Sequence, residues 1–176
     1  MEKETVFWLH ENRIHELDPV FIFLTDFVTA FTLSVLLLLA YRVFVKKVLP
    51  KTYFWLPAVS LILAAVSVNL IKLLVKRPRP YQSYPTIEQL VQGGGYSFPS
   101  GHTAEVFVLV FSFWILFKSP AIRISVLIWA LFIAYTRLAF GVHYPFDLAG
   151  GFVTAAISVF VTKKYILPLI LKSNPG

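Results

Sequence analysis

Three short groups of residues in this chain have the composition of a site for a phosphoryl group. Lys72 is followed by Arg79-Pro80, Pro99-Ser100-Gly101-His102 stand together, and Arg137 precedes His143 and Asp147. Lys72, Arg79 and Arg137 are cations. An arginine fork matches two phosphate oxygens at once, and a lysine adds a point charge. Ser100-Gly101-His102 reads as a helix start, where free N–H groups and the helix dipole favour an anion. Gly101 has no Cβ and lets the backbone come close to a phosphate. Together these groups would neutralise a phosphoryl group and stabilise charge on its equatorial oxygens.

Two imidazoles complete the set. His143 stands four positions before Asp147, a spacing that lets the two side chains meet near a helix start. A carboxylate on one ring nitrogen fixes the tautomer and makes the other nitrogen more basic, which a nucleophilic histidine needs. His102 is then free to protonate the departing oxygen and later to activate water. His102, His143 and Asp147 also have the ligand types of a zinc site. Nearby cations repel a metal, so the expectation is neither metal nor cofactor. Any one of Lys72, Arg79 or Arg137 alone would read as an anchor snorkelling to the membrane surface. Lys76 and Arg77 read as solvated loop or headgroup contacts. Gly93, Gly94 and Gly95 read as plain loop flexibility, with a lid as the alternative. Glu105, one turn into an apolar segment, is a candidate accessory residue, because acids inside a membrane are functional candidates by default.

The frame that must position these groups is apolar. Hydrophobic residues make up 57% of the 176, and mean hydropathy is +0.73. They lie in long runs at 20–45, 53–74, 100–117, from Ser119-Pro120 to about 137–141, and 146–166, each near the ~20 residues that cross a bilayer. Residues 2–16 mix charge with Val6, Phe7, Trp8 and Leu9 as an interfacial helix would. The expected fold is all-α: an integral membrane bundle of about five transmembrane helices plus an N-terminal interfacial helix, forming one domain over 1–176. Thr86 and Gln89 suggest a capping box for a short helix inside the polar stretch 76–99. No cleavable leader, internal repeat or low-complexity tract is visible. The absence of cysteine excludes disulfides, zinc-thiolate sites and thiol nucleophiles.

The net charge of +7 is sorted by membrane side, not gathered into a nucleic-acid stripe, so no nucleic-acid partner is expected. Arg42, Lys46, Lys47, Lys51, Lys118, Arg123, Lys163, Lys164 and Lys172 share one side, which contains no acid. Basic short loops stay in the cytoplasm, so this side and the C-terminus are expected inside, and the three groups above outside. Lys72, Lys76, Arg77, Arg79 and Arg137 lie on the outer side, and topology gives no reason for them.

In order and spacing, Lys72-x6-Arg79-Pro80, Pro99-Ser100-Gly101-His102 and Arg137-x5-His143-x3-Asp147 resemble the three signature motifs of the type 2 phosphatidic acid phosphatase (PAP2) superfamily. The third motif usually begins Ser-Arg. Here it is Thr136-Arg137, which keeps a hydroxyl and makes Thr136 a candidate accessory residue. The resemblance implies an all-helical core and a phosphohistidine mechanism without metal. By position, Lys72, Arg79, Ser100, Gly101 and Arg137 resemble the phosphate-binding residues. His102 matches the general acid, His143 the nucleophile and Asp147 its partner. Many members have six spans, so the resemblance implies a short member.

With the small size and minimal loops, which suggest a bacterial source, and the charge sorting, which turns the site outward, the expectation is a bacterial lipid phosphate phosphohydrolase of the cytoplasmic membrane with its site facing the periplasm. The candidate substrates are the 1-phosphate of lipid A, undecaprenyl diphosphate, phosphatidylglycerophosphate and phosphatidate. A phosphotransferase using the same phosphohistidine and a non-enzymatic lipid or anion transporter are the competing readings. Transporters often carry inverted repeats and broken spans at the midplane, and this sequence shows neither.

Overall fold

Proline in the first turn starts helix after helix in this chain, its fixed φ and missing N–H suiting that position. The computed structural model describes residues 1–91 and 93–173, and every regular element among them is helical. The helices are α1 (Glu2–Glu11), α2 (Asp18–Asp26), α3 (Val28–Ala40), α4 (Thr52–Val75), α5 (Pro80–Ser83), α6 (Gly101–Leu116), α7 (Pro120–Ala139), α8 (Pro145–Val161) and α9 (Leu167–Ser173). Pro19, Pro80, Pro120 and Pro145 stand in the first turns of α2, α5, α7 and α8. α4 ends at Lys76, whose left-handed backbone (φ 51°) turns the chain out of the helix.

α6 is the axis of the bundle and packs against α3, α4, α7 and α8. Val106, Val108 and Val110 are buried in one core with Leu56 and Ala64 of α4, Ile133 of α7 and Ala155 of α8. The outer faces remain apolar: Leu37, Ile62, Leu70, Ile128 and Phe160 are all exposed. Such a surface is stable against hydrocarbon and costly against water. Four helical stretches are long and apolar enough to cross a bilayer: Val28–Val45, Thr52–Ser83, Pro120–Ala139 and Pro145–Lys172. α6 is apolar too, but its 16 residues reach only about 24 Å, short of a ~30 Å hydrocarbon core. Four crossing-length helices and one shorter central helix thus stand where five spans were expected.

Two local expectations need correction. The first apolar run is not one helix. It breaks at Phe27, and α2 leans on α7 through Thr25 against Thr136 and Phe21 edge-on to Phe132. No helix starts at Thr86; the short helix of the 76–99 stretch is α5, where Arg79 caps and the side chain of Gln82 accepts the Arg79 N–H. The expected N-terminal helix is present as α1, and one face of it packs on protein. Val6 is fully buried with Ile87 and Tyr144, while Trp8 stays exposed. The C-terminal end, expected on the basic side, lies outside the described residues.

His10 clips α1 over the end of α7. Its Nδ1 lies 2.9 Å from the Ala139 carbonyl, and its Nε2 accepts the Glu88 N–H at 3.3 Å. Only a neutral imidazole can donate at one nitrogen and accept at the other. Burial, reinforced by Arg13, holds the His10 pKa below its usual 6.5 although the Ala139 carbonyl opposes the shift. A lowered folded pKa means the unfolded chain binds more protons in acid. The clip is therefore at full strength above about pH 6.5 and weakens as pH falls below it. Protease cleavage within 1–13 should accelerate on acidification, and His10→Gln should flatten that response.

Gly150 and Gly151 let α8 close onto the start of α6. A Cβ on Gly151 would sit 2.5 Å from the Ser100 carbonyl oxygen, and one on Gly150 would sit 2.6 Å from the Phe98 ring. The Ser100 N–H donates to the Asp147 carbonyl at 2.9 Å, tying the two helix starts together. Gly151→Ala should therefore cost about 1–3 kcal/mol by overpacking, read as a lower thermal midpoint in detergent.

Candidate active site

α4, α6, α7 and α8 bring the three sequence groups to one end of the bundle. Lys72 sits in the last turn of α4 and Arg79 just beyond it. Ser100 caps α6 with His102 in the first turn. Arg137 closes α7, and His143 and Asp147 flank the start of α8. The groups interact electrostatically: His102 feels Arg137, His143, Lys72 and Arg79, and Lys72 feels Arg79, Asp147 and Arg137.

His143 is the hub. Its backbone N–H donates to the Arg137 carbonyl at 3.2 Å, and its Nε2 lies 3.5 Å from a terminal nitrogen of Arg79. Nδ1 faces Asp147 Oδ2 at 3.4 Å, which is ion-pair distance without a completed hydrogen bond. Catalytic contacts of this kind often tighten only when substrate is bound. Asp147 is fully buried and receives the Tyr144 N–H at 2.8 Å. Burial holds the His143 pKa down to about 4; Asp147 opposes that, and Arg79 and Arg137 reinforce it. The imidazole is therefore neutral at physiological pH, with Nε2 turned towards Arg79.

The arginines are buried without acidic partners. Arg79 is 5% exposed and Arg137 3%, and among the described residues neither forms a salt bridge. Arg79 donates to carbonyls instead: Val142 at 3.1 Å, Gly94 at 2.9 Å and Gly95 at 3.3 Å. Gly93, Gly94 and Gly95, read from sequence as slack, thus form a cradle for Arg79. Tyr81 ties the cradle down by donating to the Gly93 carbonyl at 2.6 Å. Arg137 donates to Thr25 Oγ1 at 2.7 Å, while its Nε has no partner. Buried cations are stable only when compensated, so the site is built to receive an anion.

The remaining candidates fall nearby. The Ser100 oxygen accepts from the Thr103 N–H and hydroxyl at 3.3 and 2.9 Å, which leaves its own proton to donate. A Cβ on Gly101 would touch only Val68 at 3.7 Å, so protein packing does not require glycine there. Thr136 acts at one remove, with its hydroxyl 3.1 Å from that of Thr25. Glu105 lies deeper in α6, accepting from Thr29 at 3.1 Å with Oε1 unpartnered. Below Lys72, Gly101 and His102, a cavity of about 620 Å³ runs between α3, α4 and α6, lined by Leu33, Leu61 and Val68 among others. Among the described residues, no three of His, Cys, Asp and Glu gather as a metal's ligands would.

A family model described as the PAP2 superfamily matches residues 53–170. The chain belongs to the PAP2 superfamily. It is 33% identical over 140 residues to the lipid A 4'-phosphatase of Bacteroides thetaiotaomicron, covering 71% of this chain and 62% of that protein's length. To the undecaprenyl-diphosphatase BcrC of Bacillus subtilis it is 30% identical over 153 residues, covering 86% of this chain and 75% of that one. Among solved structures, Aquifex aeolicus LpxE superposes with TM-score 0.78 at 25% identity, over 92% of this chain and 94% of that one. The Bacillus subtilis PAP2-type phosphatidylglycerolphosphate phosphatase shares the fold at TM-score 0.73 and 18% identity, over 95% and 85%.

Two contributors to this PAP2 site escaped the sequence reading. Thr25 comes from α2 and carries no local signal. Arg77, read as solvated, forms a salt bridge with the buried Asp147 at 2.9 Å. Its one sequence signal was a basic charge on the outer side without a topological reason.

Proposed function

We propose that the protein is a membrane lipid phosphatase that hydrolyses a lipid phosphomonoester or diphosphate through a phosphohistidine. The carrying observation is that Arg79, beside His143 Nε2, and Arg137, at the end of α7, are both buried with no salt bridge among the described residues. In this reading Lys72, Arg79, Arg137, the Ser100 hydroxyl and the N–H groups opening α6 bind the phosphoryl oxygens. His143 Nε2 attacks phosphorus, a P–N bond forms, and the P–O bond to the lipid breaks. His102 gives its proton to the leaving oxygen. The phosphate's negative charge favours the protonated form of His102 before that step. His102 then takes a proton from water as it attacks the phosphohistidine, and inorganic phosphate leaves. Asp147 stabilises the His143 imidazolium throughout. The cations supply the charge that a metal would otherwise provide, so no metal is required.

The cavity beneath the site supports a lipid substrate. It meets the surface beside exposed Leu33 and Ile62, where an acyl or prenyl chain would lie while its phosphate reaches His102. Gly101 lines the cavity, and a Cβ there would meet Val68 at 3.7 Å without a clash. The named activities of the relatives keep lipid A phosphates, undecaprenyl diphosphate and phosphatidylglycerophosphate as candidates, and the family resemblance keeps phosphatidate. The charge distribution supports a site on the periplasmic side of a bacterial cytoplasmic membrane.

The test is phosphate release by purified protein in detergent over that lipid panel, with and without EDTA. Release from at least one lipid, insensitive to EDTA and needing no acceptor lipid, is expected. Silence across the panel would sink the phosphatase reading, and loss with EDTA would sink metal independence.

A further inference from the structure

Arg77 lies outside the three motif groups, yet it is fixed on three sides. One terminal nitrogen donates to Asp147 Oδ1 at 2.9 Å, and the other grips Glu2 Oε2 at 2.8 Å. Its guanidinium carbon stands 3.9 Å from the centre of the Tyr144 ring. Glu2 Oε1 in turn accepts the Phe146 N–H at 3.0 Å, in the first turn of α8. Asp147 is thereby held at both oxygens: Oδ1 by Arg77, and Oδ2 by the Tyr144 N–H, with His143 Nδ1 next to it. The chain is set for this contact, because the left-handed turn at Lys76 aims the next residue away from the axis of α4.

We propose that Arg77 is a positioning residue which, anchored by Glu2 of α1, orients Asp147 and sets how strongly that carboxylate supports His143. The proposal rests on the phosphohistidine reading for its consequence in turnover. A cation on Oδ1 draws the carboxylate's charge away from His143, and Glu2 offsets that draw. α1 thereby becomes part of the catalytic apparatus and not only a cover.

The other charged or titratable groups around this pair are common to every variant: Lys72 of α4, Arg79 of the following loop, His102 of α6 and Arg137 of α7. The signs are opposite for the two new members. Removing the cation in Arg77→Met favours the His143 imidazolium, so the acid limb of kcat/KM moves to higher pH. Removing the anion in Glu2→Gln disfavours it, so the limb moves to lower pH. Each shift should be on the order of half a pH unit, and Arg77→Lys should restore the wild-type limb. The ionisation of the substrate is the same in all variants and drops out of the comparison.

A merely structural role would lower activity without moving the two limbs in opposite directions. Histidine-selective NMR titration of His143 reads the same displacements without turnover, so the result stands apart from whether lipid phosphate is released. Opposite displacements support the proposal. Coincident profiles, or displacements of the same sign, overturn it.

Discussion

Replacing His143 with alanine is expected to lower phosphate release by at least ~10⁴-fold, the scale seen when a covalent nucleophile is removed and only binding and charge stabilisation remain. The imidazole is 2% exposed and lies in a turn between α7 and α8, outside the main core cluster, so the helical bundle should still form. Circular dichroism and gel filtration in detergent check that. His102→Ala makes the companion measurement. Without a proton donor and water activator, attack and release both slow, and a phosphoenzyme labelled from phosphate-labelled substrate should persist longer than in the wild type. Residual turnover of His143→Ala above a tenth of wild type would remove it from the nucleophile's role.

Arg79→Lys carries the second large effect. The fork at Arg79 joins two tasks, because its nitrogens reach the Gly94, Gly95 and Val142 carbonyls while one lies 3.5 Å from His143 Nε2. Lysine keeps the charge and loses the planar fork. Loss of one preorganised donor to the transition state costs about 10²–10³ in kcat, and that loss is expected here with a smaller change in KM. The cradle should loosen as well, and hydrogen exchange at Gly94 and Gly95 would rise. Unchanged kcat would separate Arg79 from the reacting phosphate.

These outcomes bear on residues the sequence made visible, and the reason is chemical. Lys72, Arg79, His102, Arg137, His143 and Asp147 are legible because the motifs of the PAP2 superfamily fix residue type at fixed spacing, and apolar runs disclose the helices that carry them. What stayed hidden depends on contacts between distant segments. Thr25 meets Thr136 only once α2 leans on α7, and that lean breaks the first apolar run at Phe27. Gly93, Gly94 and Gly95 look like slack until Arg79 is seen donating to the Gly94 and Gly95 carbonyls and Tyr81 to that of Gly93. Gly150 and Gly151 have no visible task until the start of α6 lies against them. Arg77 looked solvated because its acids, Glu2 and Asp147, are 75 and 70 positions away.

The cavity between α3, α4 and α6 is bordered by Leu33 and Ile62, both exposed on the apolar outer face. Under the proposed function, a lipid entering beside these two side chains would stay in the bilayer, and its encounters would be two-dimensional. Turnover in mixed micelles should then follow the mole fraction of substrate among amphiphiles: adding inert detergent at constant bulk substrate would slow the enzyme, and doubling both together would leave the rate per protein unchanged.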